Sequence, residues 1–247
     1  MDIRRLSDIA RAAQPAARLA PPQAPAGQPG QGGRAGDRDE GLKPQDAETD
    51  TPFWLVAMST DRLARRRHMP ARAFKAAART EAAWIRQIAQ AAGPRVTAWA
   101  GALPATLTLA DWQALAEALA EAAGGFRAPR VVWLPGLPDG RGQFLFRVDG
   151  NLLQLKPGAG GSRAEWAATV AHETFHHLQQ ELVTALYRGE PALDGPLAEL
   201  AAYYRDARNT YDALGPACPP DRHRRQPLEV GAWAYGEAIA RALPQRG

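Results

Sequence analysis

The sequence predicts an α+β fold, mainly helical, with a small mixed or antiparallel sheet packed on one long helix. Three observations carry this. Ala- and Leu-rich runs begin with capping residues and end at Gly or Pro, short apolar runs between residues 130 and 155 have the composition of strands, and Arg163 to Arg188 runs without Gly or Pro.

In chain order, residues 1–50 come first as a tail. From Gln14 to Pro44 they are mostly Pro, Gly, Gln, Ala and mixed charge, with too little apolar surface to offset the entropy of ordering. Residues 51–247 are expected to form a single domain, helical in a first part to about 125, with the functional part at about 126–247. Phe53 to Met58 is an apolar run of undecided type. Residues 71 to 92 read as a helix bounded by Pro70 and Gly93-Pro94, and Val96 to Ala100 reads as a strand. Thr108 and Asp111 form a capping-box-like start to a helix that runs through Ala123 and stops at Gly124-Gly125. Arg130 to Leu134 is strand-like, and Phe144 to Val148 with Asn151 to Leu155 reads as a hairpin turning at Asp149-Gly150. Ser162 and Glu165 cap the helix Arg163–Arg188, whose apolar face gathers Ala167, Ala171, Phe175, Leu178, Leu182 and Ala185. Two further helices follow, one from Pro196 to about Leu214 and one beginning at Pro227.

The chemistry concentrates in His172-Glu173-Thr174-Phe175-His176, an H-E-x-x-H sequence inside the long helix. Positions four apart return to within about 40° on a helix, so the two imidazoles share a face and can converge on one zinc ion. Glu173, about 100° round from His172, stands where a general base for an attacking water belongs. His177 lies about 100° from His176 and about 140° from His172, and is read as a polar residue outside that pair. A catalytic zinc needs a third protein ligand. Glu229, in the first turn after Pro227, and Glu199, in the preceding helix, both qualify on residue type.

An H-E-x-x-H helix followed by Gln, a tyrosine-bearing segment and then P-x-E-x-x-A-W at a helix start resembles the glutamate-zincin metallopeptidases. It is similar in particular to small bacterial and phage members that serve as toxins or effectors. The resemblance spans about residues 130 to 243 and rests on His172, Glu173, His176, Pro227, Glu229 and Ala232. It implies a zincin-like fold, His172, His176 and Glu229 as zinc ligands, Glu173 as base, and a protein or peptide substrate held on the sheet edge by strand addition. Gly231 departs from the pattern, because many relatives carry an acidic residue there, and support for the ligands from that position is therefore expected to be missing. Tyr211 and Tyr235 are candidates to stabilise the oxyanion, with Tyr203, Tyr204 and Tyr187 behind them. The competing reading is a zincin-like module that binds or regulates without cleaving, and retention of Glu173 argues against it.

A single cysteine, Cys218, excludes an internal disulfide. The first residues lack the apolar core of a secretory signal and no run reaches membrane length, which predicts a bacterial cytoplasmic protein, or one exported by a specialised injection system. The net charge of +4 is modest. Arginines at 62, 65, 66, 67 and 72 with Lys75 lack the interleaved aromatics of a nucleic-acid surface, and a second cluster, Arg222, His223, Arg224 and Arg225, precedes Glu229 close to the expected site.

Overall fold

A computed structural model describes residues 71–102, 107–137, 141–146, 150–193, 195–209 and 220–243. The expected tail, the run Phe53 to Met58, most of the first basic cluster, Asp149, Tyr211 and Cys218 fall outside the described residues.

Among the described residues, six helices and three strands follow in order: α1 (Ala71–Ala102), α2 (Leu109–Ala122), β1 (Arg130–Trp133), β2 (Gly142–Leu145), β3 (Leu152–Leu155), α3 (Arg163–Arg188), α4 (Gly195–Asn209), α5 (Pro220–Arg224) and α6 (Pro227–Ala242). The fold is mainly helical α+β, as expected, and the sheet is mixed. Its order is β1-β3-β2, with β1 parallel and β2 antiparallel to β3.

Two sequence expectations are corrected. Helix α1 does not end at Gly93-Pro94, and Val96 to Ala100 is its last turn rather than a strand. Pro94 removes one backbone hydrogen bond, but Ala77, Trp84, Ile88, Ala92, Val96 and Ala100 form one continuous buried stripe across it, and core burial carries the helix on. The second correction concerns the hairpin. Strand β2 begins at Gly142, two residues early, and stops at Leu145, with Leu145 opposite Leu152 and Gly142 opposite Leu155. A tight Asp149-Gly150 turn would pair the strands two residues further on, with Leu145 opposite Gln154. The strand starts at a glycine because it lies on α3: a Cβ at 142 would stand 2.7 Å from Thr169 Cγ2 and 3.3 Å from Glu173 Cγ.

The remaining boundaries follow their local signals. Asp111 accepts from both the N–H and the hydroxyl of Thr108 at 2.7 Å, and α2 ends before Gly124 and Gly125, both at positive φ. Ser162 and Glu165 exchange capping bonds of 2.7 and 3.2 Å, and Gly189 closes α3 in the left-handed conformation. Every residue predicted for the apolar face of α3 is buried. Helix α3 goes further than the expected two-faced helix: α2, α4, α6, β2 and β3 all pack on it, so its polar side chains are largely buried as well. One apolar core joins residues of α1, α2, α3, α4 and α6 with the sheet. No helix among the described residues is long and apolar enough to cross a membrane.

Candidate metal centre

His172, Glu173 and His176 lie at the middle of α3, where the surrounding elements remove them from solvent. One turn of separation brings the two imidazoles to a centroid distance of 4.7 Å and their Nε2 atoms to 3.1 Å. With Glu173 they form a group whose candidate donor atoms all lie within 4.8 Å of one another, and which can hold a metal ion.

Glu229 enters from a second helix. Pro227 opens α6, which places the carboxylate in the first turn, where the helix dipole favours an anion. Its Oε2 is 3.2 Å from His172 Nε2, its Oε1 is 3.4 Å from His176 Nε2, and its side chain is only 2 % exposed. Small residues permit this approach. Ala232 is fully buried, and a Cβ on Gly236 would stand 2.7 Å from the Ala168 carbonyl oxygen and 3.6 Å from His172 Cβ. Ala232 and Gly236, three and seven residues after Glu229, are therefore what seat this helix on α3. Glu199, the other candidate of the right residue type, is exposed on α4.

The spacing suits a tetrahedral ion. Zinc with bonds of about 2.0–2.1 Å sets neighbouring donors about 3.3 Å apart, and the three separations among His172 Nε2, His176 Nε2 and the Glu229 carboxylate are 3.1, 3.2 and 3.4 Å. Two imidazoles and a carboxylate are also an ordinary zinc donor set. Glu173 Oε1 stands further off, at 3.9 Å from His172 Nε2.

Without a metal, protons take up the charge. Burial raises the Glu229 carboxyl, but hydrogen bonds and charge from His172 and His176 hold it well below the usual carboxylate range. Burial pushes His176 down, yet Glu229 and then Glu173 outweigh it and hold the imidazole at about 9. A buried carboxylate facing two imidazoles draws in a cation, whether proton or metal.

The two histidines are held differently. His176 Nδ1 is 2.9 Å from Gln179 Oε1, and Gln179 Nε2 donates to the Leu228 carbonyl at 3.0 Å, tying α3 to the turn that carries Glu229. His172 packs edge-on against Trp233 at 4.8 Å, and Arg224 lies 4.6 Å over that indole, while His172 Nδ1 is buried without a hydrogen bond.

His223 was not singled out as a site residue from the sequence. From α5 its Nε2 reaches Glu229 Oε1 at 3.3 Å, and Gln226 Nε2 lies 3.4 Å from its Nδ1. The available signal was its position six residues before Glu229 in a cluster read only for charge. Arg222, Arg224 and Arg225 beside it are exposed.

The other expectations sort as follows. Tyr235 is fully buried against Phe175, 5.4 Å between ring centres, with its hydroxyl unpartnered, a core position rather than one facing solvent. Tyr203 and Tyr204 are buried on α4, and Tyr187 is partly buried against the core. His177, read as polar, is a buried structural residue: its Nε2 donates to the Arg127 carbonyl at 2.6 Å and its Nδ1 accepts from Asn151 at 2.9 Å. Burial holds its pKa down at about 4, against the Arg127 bond. Glu181 joins the same network through Asn151.

The chain matches no family model, no curated protein and no solved structure.

Proposed function

We propose that the chain is a zinc metallopeptidase of glutamate-zincin type, with His172, His176 and Glu229 as ligands and Glu173 as general base. The observation that carries this reading is the set of three donor separations near a tetrahedral edge, from residues up to 57 positions apart in sequence, with a second carboxylate, Glu173, set just outside them. Bound zinc supplies a Lewis acid and an acidified water. Glu173 takes the proton of the attacking water and passes it to the leaving amine, in a site that burial keeps poor in competing water.

The sheet supports a peptide substrate. Strand β2 is an edge of the described sheet, antiparallel to β3, and its Gly142 passes against Glu173, so a chain added along β2 would bring a peptide bond to the base. Exposed Trp233 on α6, with Arg224 over its indole, flanks His172 as a side-chain contact for that peptide. The biological setting proposed is a bacterial protease acting in the cytoplasm or after export, including as an effector.

A second reading is favoured by His223. If it joined the other three residues as a fourth protein donor, the site would be closed and the metal structural, since an open position is what distinguishes a catalytic zinc. One experiment separates the two: zinc-loaded wild type and Glu173→Gln are incubated with a peptide library drawn from a whole proteome, and new termini are counted. The peptidase reading expects cleavage by wild type and loss of roughly 100-fold or more in the variant, with zinc retained. Equal patterns from both proteins would contradict it and leave the closed site.

A further inference from the structure

Helix α6 carries a second group one turn beyond Glu229. Trp233 follows it by four residues, so the two side chains share a face of the helix. The indole packs edge-on against the His172 ring, 4.8 Å between centroids, and remains exposed on its outer side.

Short helix α5 sets a charge over it. The Gln226 N–H donates to the His223 carbonyl at 3.0 Å, closing the turn between α5 and α6. Arg224, nine residues before Trp233, then lies with its Cζ 4.6 Å from the centre of the indole, two ring contacts from His172. Arg224 is exposed, and among the described residues the indole is its partner and no carboxylate pairs with it. Arg222 and Arg225 in the same segment are also exposed, against a single acid, Asp221. This flank of the site is therefore positive.

A guanidinium is permanently charged, offers its face to an aromatic ring and binds a carboxylate through its N–H edge. Contact with Trp233 holds the cation in place and leaves that edge for an anion. It also removes in advance part of the rotamer freedom that a surface arginine loses on binding. An extended chain advances about 3.4 Å per residue, so a substrate residue within about three places of a bond held at His172 and Glu173 reaches the guanidinium.

We propose, on the peptidase reading of the site, that Arg224 seated on Trp233 sets its specificity: the chain cleaves acidic peptides, with a substrate carboxylate bound by Arg224 close to the cut. An Asp or Glu side chain and the terminal carboxylate of a peptide offer the same chemistry.

The test uses the full-length, zinc-loaded chain and a peptide library drawn from a whole proteome, with the residues around each new terminus read by mass spectrometry. Asp and Glu should be enriched at one position near the cut, or the cuts should fall at one distance from the C-terminus. A peptide cleaved by wild type is then remade with Gln or Asn for its acidic residue, and separately with an amidated C-terminus. Removing the carboxylate that Arg224 binds should lower kcat/KM of wild type by roughly tenfold, and whichever change does so identifies the source. With Arg224→Ala the ratio between the same two peptides should fall to about one, because the interaction has lost its protein partner. Arg224→Lys keeps the charge without the flat face and should lie between, while Arg224→Glu should turn the preference toward Lys or Arg at that position. Arg241→Ala removes a charge from the far end of α6 and should keep the wild-type ratio. Each ratio compares two peptides on one protein, so a partial loss of folded protein leaves it readable. Cleavage by wild type without preference for a carboxylate, a preference that survives Arg224→Ala, or one lost equally in Arg241→Ala overturns the role of Arg224 and leaves the peptidase reading standing. No cleavage of any peptide by zinc-loaded wild type overturns the peptidase reading, and the specificity with it.

Discussion

Glu229 and Glu199 were equal on residue type, and the structure separates them by where their helices start. Pro227 sets Glu229 into the first turn of a helix seated on α3, while Glu199 points from an exposed position on α4. Glu229→Ala should therefore weaken zinc by roughly 100-fold or more and Glu199→Ala should leave it within about twofold, read by chelator competition. The reverse order would move the ligand to Glu199. A pH prediction belongs to Glu181, which burial raises from 4.5 to about 7 against Arg188 and Asn151. Between those values the folded chain holds a proton that the unfolded chain has released, so this group's contribution is full below about 4.5 and is lost as pH rises through 7. Glu181→Gln keeps the acceptor for Asn151 and should raise stability by about 1–2 kcal/mol at pH 8 with little change at pH 4.5. Urea unfolding at the two pH values checks this, and an equal change at both would contradict it. The histidine pair and Glu173 were legible because helical periodicity is local. Glu229 needed a resemblance, since nothing in spacing fixes which distant carboxylate returns to a cleft. Glu81 was overlooked although an acid on a stripe with Ala77, Trp84 and Ile88 is itself a signal of a buried partner.

Elements were legible where their ends carry chemistry and illegible where packing decided. Capping boxes and glycines located α2 and α3, and Pro227 located α6. The sequence cue that failed was Gly93-Pro94, because the lost hydrogen bond is outweighed by continued burial of Val96 and Ala100. The β2 register failed for the converse reason: turn chemistry suggested one pairing, and contact between Gly142 and α3 imposes another. Two substitutions test these contacts. Gly142→Ala inserts a methyl against Thr169 and Glu173, and on the peptidase proposal should reduce cleavage by roughly tenfold or more with zinc still bound, because it shifts Glu173, the proposed base, and not the proposed ligands. Gly236→Ala meets the Ala168 backbone, which cannot move aside, and should cost about 1–3 kcal/mol of stability while weakening zinc as α6 lifts from α3. Unchanged zinc affinity in Gly236→Ala would show that Glu229 reaches the histidines without close helix packing.

At the scale of the whole molecule, the candidate metal centre joins helices that are distant in sequence. α3 supplies His172, Glu173 and His176, α6 supplies Glu229, α5 supplies His223, and α1 sets Glu81 against Gly231 of α6. Zinc bound at such a junction should stabilise the fold in proportion to its occupancy, so chelation should lower the melting temperature. A chain beginning near residue 50 should retain zinc and cooperative unfolding, since the excluded segment lacks core-forming residues, and a rise in cleavage on truncation would mark that segment as inhibitory. The most direct measurement is zinc content per chain after exhaustive dialysis, for wild type, His172→Ala, His176→Ala and Glu229→Ala. The account predicts about one zinc in wild type and little in each variant, because removing any one ligand leaves two of the three. No zinc in the wild type, or full occupancy in both histidine variants, would contradict it.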